Sequence, residues 1–598
     1  MPPNVTLTDG RQIDLSSDEG REILRHSTAH VMAQAVCDLF PNAKYAIGPP
    51  IEDGFYYDFD IGRSFTPEDL DKIEERMRAI IEEGQTFERQ ELSREDALAR
   101  FSDQPFKVEI IEGVDEQEGA GPVISVYRNG GWEDLCRGPH VESTKLIPAF
   151  KLMRVAGAYW RGDEHRPMLQ RIYGTAWESP KALRGHLKML EEAEKRDHRR
   201  LGRELDLYSW PDEVGPAMAL WHPKGAILRK TLEDLSREMH LAKGYQPVFT
   251  PHIGRSTLWE TSGHLDFYRE NMFPAMELEE GGEYFAKPMN CPFHVLVFRS
   301  RTRSYRELPL RLSELGTVYR YERSGVLHGL LRARGLTQDD SHIFCRPDQV
   351  VDELVGVIDF FRDLYGTVGM GPDRVRFSTR PPKSVGSDEL WELAEAAIPQ
   401  ALERAAIDYK VDEGDGAFYG PKIDIDVRDA IGRYWQVATI QVDFQTPERF
   451  GIEYTDEDNT RKQPVMIHRA LYGSIERFIG VLVEHFAGSF PTWLAPVQTV
   501  IVPIADRHND HADDLAEQLR ARGVRVEVDD SRDTMQAKIR NAELAKAPYV
   551  LVVGDKEIEN GTVAVRPRAS KPKFGIAFEE FLANVVDEIA AREQAHRY

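Results

Sequence analysis

Two short stretches place histidine and cysteine at spacings that chemistry can use. In HSTAH, His26 and His30 stand four apart, on one face of any helix that carries them. Downstream, DLCRGPH repeats the interval with Cys136 and His140. Three imidazoles and one thiol are a tetrahedral zinc donor set. A metalloprotease is excluded, because position 27 is serine where HExxH needs glutamate. The other stretch is KPMNCPFHVLVF, residues 287–298, with Cys291 ahead of proline and His294 three residues on. Its thiol can be a core filler, half of a Cys/His nucleophilic pair, or a ligand whose partners lie elsewhere. Pro292 suits the first position of a helix, which leaves Cys291 beside a helix N-terminus that favours thiolate.

The elements that must position these groups belong to a long chain. At 598 residues, three or four domains are expected. Hydrophobic content of 41% and charged content of 29% are those of a soluble globular protein. No apolar run approaches a transmembrane helix, and MPPNVTLTDGRQIDLSS is no signal peptide. Four scattered cysteines, at 37, 136, 291 and 345, make no disulfide framework, so a reducing cytoplasm is expected. Net charge is −24, yet arginine is concentrated in residues 196–205, 298–312 and 565–573. Such islands can steer a polyanion to chosen surfaces, or can be solvated helix faces.

Residues 1–16 are a short remnant, and 17–178 mix helical and strand patterns in an α+β domain. A charged helical connector spans 179–205, and β-alternation dominates 206–492. From 493 to 598, TVIVPIA, DDLAEQLRARG, VRVEVDD, QAKIRNAELAKA and YVLVVG read as βαβαβ with a mainly parallel sheet.

Three pieces of the long middle segment carry further chemistry. In VYRYER, a strand would project Arg320 and Glu322 onto one face, and in TQDDSHIF it would do the same for Gln338, Asp340 and His342. Such groups on a sheet face are costly unless paired or holding a polar ligand. MIHRALYGSIERF reads as a strand ending near His468, a turn at Gly473 and a helix with Arg477 in its first turns, a guanidinium suited to phosphate. GYQPVFTPHI is a strand carrying Pro251, hence an edge or subunit-interface strand.

In this order, the three pieces resemble motifs 1, 2 and 3 of the class II aminoacyl-tRNA synthetases. With KPMNCP, LHGLLRARGLTQDDSHIF, AFYGPKIDI and PVMIHRALYGSIERF, the likeness narrows to the bacterial-type threonyl-tRNA synthetases, from about residue 20 to the end. It implies an antiparallel class II catalytic core, an N-terminal editing domain and a C-terminal anticodon-binding domain. It also implies a zinc ion on Cys291, His342 and His468. Spacing alone does not select those two histidines from the 18 present, and His294 reads as an ordinary helix residue.

A site of this kind answers a chemical problem. A hydrophobic pocket rejects an isostere by only about 10²-fold, on the order of 3 kcal/mol, so threonine and valine are hard to separate. Zinc with three protein ligands keeps an open position, which threonine's amino and hydroxyl groups can fill and valine cannot. The resemblance further implies Asp340 at the substrate ammonium, with Gln338, Tyr419, Lys422, Gln436, Gln441 and Ser474 lining the amino-acid and nucleotide pocket. Gln436 and Gln441 have opposite parity on a regular strand. Arg320 would bridge carboxylate and α-phosphate, Glu322 and Arg332 would hold ATP with Mg²⁺, and Arg477 would meet the γ-phosphate.

Serine also has an amino group and a hydroxyl, and lacks only a methyl worth roughly 1–3 kcal/mol. A hydrolytic second sieve is therefore expected. The resemblance puts it at His26, His30, Cys136 and His140, usually metal-free, with Tyr57, Lys107 and Asp134 around them. It puts anticodon reading at Glu557 and Arg566, where polar groups would meet unpaired bases. The expected partners are tRNA(Thr), ATP, L-threonine and a second copy of the chain, with no membrane. The rivals are a threonine-adenylating or a regulatory paralogue. Two features depart from the family. The small ubiquitin-like domain that commonly comes first is expected to be absent or reduced to VTLTDGRQIDLSS, and Phe293 stands where glycine is common.

Overall fold

A computed structural model describes residues 4–117, 123–163, 165–279 and 281–598; the first three residues of the N-terminal remnant lie outside them. The chain divides into two units, Met1–Glu191 and Glu192–Tyr598, with the division inside the helix Pro180–Arg196.

In the first unit, the helix Asp18–Leu39 starts at Ser17, whose side chain accepts the Gly20 N–H. Satisfying that orphan donor fixes where the helix begins, and with it which face His26 and His30 share. Most of the helix is buried, against an antiparallel sheet of the strands Lys44–Tyr45, Gly54–Asp60, Met168–Trp177 and Ala149–Tyr159, in that spatial order. A second antiparallel sheet joins Phe87–Ser93, Val123–Asn129 and Trp132–Leu135. Its last strand delivers Asp134 and then Cys136. Residues 4–14 form a hairpin, Asn4–Thr6 against Gln12–Asp14.

The second unit is built on an eight-stranded sheet, antiparallel except for the outermost pair at each end. Its order is Gln246–Pro247, Leu310–Tyr319, Gly335–Cys345, Val465–Ala470, Tyr434–Asp443, Lys422–Arg428, Arg374–Ser378 and Lys410–Asp412. One face is apolar: Ile343, Ile467 and Val442 stand side by side across three strands and are fully buried. The helices Val350–Gly366 and Ile475–His485 cover that face. The other face holds the polar residues.

Several expected elements are shorter than their sequence pattern. The edge strand does lie at the sheet edge, but only Gln246–Pro247 pair, and Pro251 falls in the following loop. Thr250 explains the break. Its N–H and hydroxyl donate to the Glu314 carboxylate at 3.0 and 2.7 Å, which takes the backbone out of the ladder. The motif 2 strand ends at Tyr319, so Arg320 and Glu322 do not share a strand face. Arg320 keeps one ladder-like bond to the Arg334 carbonyl, 2.8 Å, and Glu322 turns back with its N–H on the Arg320 carbonyl.

The C-terminal part starts as expected. Val526–Val528, Thr499–Pro503 and Tyr549–Val553 are parallel, with helices Asn509–Ala521 and Met535–Leu544 between them. Two further strands, Thr562–Pro567 and Lys573–Ala577, add antiparallel to that sheet and make it mixed. No helix among the described residues is long and apolar enough to cross a membrane.

Candidate functional site

The polar face of the large sheet assembles its site through register. His342 stands opposite His468, and His468 stands opposite Gln441 on the next strand. Glu314 and Gly316 face Asp340 and Gln338. Cys291 is the first residue of the helix Cys291–Arg299, which crosses this face. The ligand atoms of Cys291, His342 and His468 all lie within 4.8 Å of one another, and His342 Nε2 is 3.1 Å from His468 Nδ1. All three residues are buried.

Each histidine is oriented from behind. His468 Nε2 meets Asp443 Oδ2 at 2.7 Å. His342 Nδ1 meets His294 Nδ1 at 2.8 Å, and His294 Nε2 meets Glu314 Oε1 at 3.2 Å. His294 is therefore no ordinary helix residue. It links His342 to a buried carboxylate that also holds Thr250 and approaches Lys287 at 3.6 Å. Carboxylates behind ligating imidazoles fix the tautomer and ring plane that a metal requires. A Cys/His/His donor set with two such supports fits zinc and leaves one position open.

Burial also corrects the expectation for Cys291. Desolvation pushes its thiol well above its ordinary value, outweighing the helix terminus, and the nearby Asp340 adds to the effect. His342 is held well below its ordinary value, again chiefly by burial. Without a cation, then, this is a neutral thiol beside a neutral imidazole. Phe293 packs edge-on against Trp259, rings 5.8 Å apart, on the side of that helix lined by Met272 and Phe285.

Around the three ligands stand the other expected residues. Asp340 accepts from Asn290 Nδ2 at 2.9 Å, and burial raises its carboxyl. The Tyr419 hydroxyl donates to Gln441 Oε1 at 2.5 Å, and its ring lies 5.1 Å from that of His468. Gln338 Nε2 reaches the Gly473 carbonyl at 3.3 Å. Lys422 Nζ sits between Asp424 and Asp415, at 2.8 and 3.0 Å. The parity problem of Gln436 and Gln441 is resolved by a bulge. Gln436 pairs with Asp426 and Gln441 with Lys422, two positions of equal parity, so Val437 is the extra residue and both glutamines share a face.

A second group gathers beside these. Arg320 Nε donates to the Pro288 carbonyl at 3.2 Å. Arg332 holds Glu322 Oε2 through Nε and Nη2, at 3.2 and 3.0 Å. Gly473, at φ +70°, turns the chain from the His468 strand into the Ile475–His485 helix, a conformation only glycine adopts freely. Ser474 caps that helix by accepting the Arg477 N–H. Arg477 Nε and Nη1 donate to the carbonyls of Gln436 and Leu331, at 2.8 and 3.1 Å. Both bonds are made through Nε and Nη1, and no hydrogen bond from Nη2 is found among the described residues.

The first unit holds the other cluster, with ligand atoms of His26, His30, Cys136 and His140 within 4.8 Å. Cys136 Sγ lies 3.3 Å from His26 Nε2 and 3.2 Å from His140 Nε2. Ser27 donates to the Ile23 carbonyl and so accepts from His140 Nδ1 at 3.1 Å. The residue that excluded a protease thus orients a ring. Burial holds His26 down at about 4 and pushes Cys136 up to about 12. Lys107, 2% exposed, pairs with Asp134 Oδ1 at 2.5 Å and with the Tyr57 hydroxyl at 3.2 Å, and that hydroxyl donates to Asp134.

No hydrogen bond or ion pair joins Glu557 to Arg566 among the described residues. The Glu557 carboxylate accepts the Gly554 N–H at 3.1 Å, closing the start of the helix Asp555–Asn560, and Arg566 stands opposite Val550 in its sheet.

Known proteins resemble this chain. Family profiles described as tRNA synthetase class II core domain (G, H, P, S and T), anticodon binding domain, and threonyl and alanyl tRNA synthetase second additional domain match residues 275–486, 498–588 and 124–173. A threonine–tRNA ligase of Thermobifida fusca is 53% identical over 98% of this chain and 92% of its own. One from Parafrankia sp. is 52% identical over 97% and 91%. The crystal structure of the RNA binding domain of threonyl-tRNA synthetase from Cryptosporidium parvum superposes with a TM-score of 0.62 at 38% identity, covering 67% of this chain and 99% of that one.

The Lys107–Asp134 pair yields a stability prediction. Lys107→Met strands a buried carboxylate and should cost about 3–5 kcal/mol, read as earlier melting. Adding Asp134→Asn should recover much of the loss, a coupling that a double-mutant cycle measures directly.

Proposed function

The chain belongs to the threonine–tRNA ligase family, and we propose that the two clusters divide its work between accepting threonine and removing serine. The overall reaction is that of a class II aminoacyl-tRNA synthetase, joining L-threonine to tRNA(Thr) at the expense of ATP. What supports the division most directly is the three-strand register that sets His342, His468 and Gln441 side by side, with Cys291 above them.

Zinc on Cys291, His342 and His468, when bound, supplies an open position that an amino group and a neighbouring hydroxyl can fill together. Asp340 receives the substrate ammonium, while the Tyr419–Gln441 bond shapes the wall around the side chain. Arg320, just past the last paired residue of its strand, meets the carboxylate and the α-phosphate. Glu322 and Arg332 hold ATP, and Arg477 offers its remaining N–H groups to the γ-phosphate, with Mg²⁺ accompanying the nucleotide. Attack of the carboxylate on the α-phosphate is then a matter of alignment and of arginine charge. Anticodon contact falls to Glu557 and Arg566. The loop past the edge strand, where Phe249 is 92% exposed, is the surface for a second copy of the chain.

Serine passes the first test, since it lacks only a methyl. His26, His30, Cys136 and His140 line the hydrolytic pocket. The four groups are neutral near pH 7, burial holding every imidazole down and the thiol up. Lys107, fixed by Asp134 and Tyr57, is the cation beside them, placed to hold a water or a ribose hydroxyl.

Metal analysis with amino-acid-dependent ATP–pyrophosphate exchange tests the first cluster. Cys291→Ser should lose zinc and threonine-dependent exchange together, and Cys136→Ser should keep both. His294→Ala should weaken zinc binding by about 10–100-fold. Exchange that runs with valine as well as with threonine would refute the recognition scheme. For the second cluster, His26→Ala with His30→Ala should charge threonine at the parental rate while Ser-tRNA(Thr) accumulates. Clearance of Ser-tRNA at the parental rate would remove the editing assignment.

A further inference from the structure

A third cluster of metal-type side chains, Asp197, His198 and Glu484, plays no part in the scheme above. Its donors are already committed. His198 is fully buried. Its Nδ1 lies 2.7 Å from Glu484 Oε1, and its backbone N–H donates to the same oxygen at 3.1 Å. The other carboxylate oxygen pairs with Arg433 at 2.6 Å. Across the ring, His198 Nε2 accepts the backbone N–H of Leu330 at 3.1 Å. A ring that accepts at Nε2 carries its proton on Nδ1, so neither nitrogen is left for a metal.

What this ring holds is the loop that leads to Arg332. Leu330 is gripped by His198, and the next carbonyl, that of Leu331, accepts Arg477 Nη1 at 3.1 Å. Arg332 follows and holds Glu322. Glu484 and Arg477 belong to opposite ends of the helix Ile475–His485. That one helix therefore fixes two consecutive loop residues, one directly and one through His198. The fit is close on the loop side as well. Gly329 stands at φ +52°, and a Cβ there would meet His198 Nε2 at 2.2 Å. Arg196, two residues before His198, donates to the Glu484 and His485 carbonyls, so the connector also closes the end of that helix.

We propose that His198 is a positioning residue for ATP: it sets the backbone at Leu330 so that Arg332 and Glu322 are presented to the nucleotide. This rests on the assignment of Arg332 and Glu322 to ATP. The imidazole is a spacer of fixed length between a carboxylate on the helix and an N–H on the loop, and it touches no substrate.

The test is pyrophosphate exchange by the full-length, zinc-loaded enzyme, with KM measured for ATP and for threonine. His198→Asn keeps a donor for Glu484 but is too short to accept from Leu330. It should raise the ATP KM about tenfold, as loss of one hydrogen bond of ~1.4 kcal/mol would, and leave the threonine KM near its parental value. His198→Gln, which returns an acceptor at the distance of Nε2, should recover most of the ATP KM. An unchanged ATP KM in His198→Asn, an equal rise for threonine, or no recovery in His198→Gln would overturn the proposal. Arg332→Ala separates the two readings: if it spares the ATP KM, the ATP assignment itself fails, and if it alone raises that KM, only the role of His198 fails. Should His198→Asn melt early, Gly329→Ala probes the contact from the loop. An ATP-selective KM rise there supports the proposal, and a parallel rise in both KM values refutes it.

Discussion

In an antiparallel ladder, a slip of one residue turns every side chain to the other face. The central strands of the large sheet hold their register with Ile343, Ile467 and Val442, aligned across three strands and sealed from water. One step along the same strands, that alignment sets His342 opposite His468 and His468 opposite Gln441. The apolar face thus does more than contribute burial. It fixes which polar side chains can meet.

Burial then creates the demand that the surrounding residues answer. The Cys291 thiol and the His342 imidazole, sealed from water, are held neutral unless a cation joins them. Behind them, Asp443 and the His294–Glu314 pair supply the acceptors that orient both rings. Glu314 in turn holds Thr250, where the edge strand stops pairing and turns towards the exposed Phe249. The orientation of His342 and the end of the edge strand therefore share one carboxylate. The first unit meets the same demand with other elements, using helical i, i+4 spacing for His26 and His30 and a serine to orient His140.

These relations were unequally legible in the sequence. The helix that carries HSTAH, the parallel start of the C-terminal sheet and the helix after Gly473 follow local patterns, and the structure has them. The face shared by Gln338, Asp340 and His342 follows from a period of two. Arg320 and Glu322 satisfied the same period and still leave the strand, because after Tyr319 the chain keeps one bond to Arg334 and then turns back on itself at Glu322. Gln436 and Gln441 failed the period and share a face, because Val437 is inserted. His294 looked like a helix residue because its partners, His342 and Glu314, come from two strands 48 and 20 positions away. Pairings at such separation leave little local trace. The sequence does offer a trace in LSEL, where Glu314 shares a strand face with Leu312 and so calls for a polar partner.

The separation of two clusters follows from the substrates more than from the fold. A pocket that rewards an amino group and a hydroxyl gains nothing from threonine's methyl except contact, and contact distinguishes serine by only roughly 1–3 kcal/mol. Tightening the wall around Tyr419 cannot change this, since a smaller molecule enters any space that admits a larger one. A site that must refuse the smaller substrate has to ask the opposite question and admit only what is small. The two tests impose contradictory shapes on one cavity. Two sites satisfy them, and in the proposed division the His26 helix and the His342 strand carry one each.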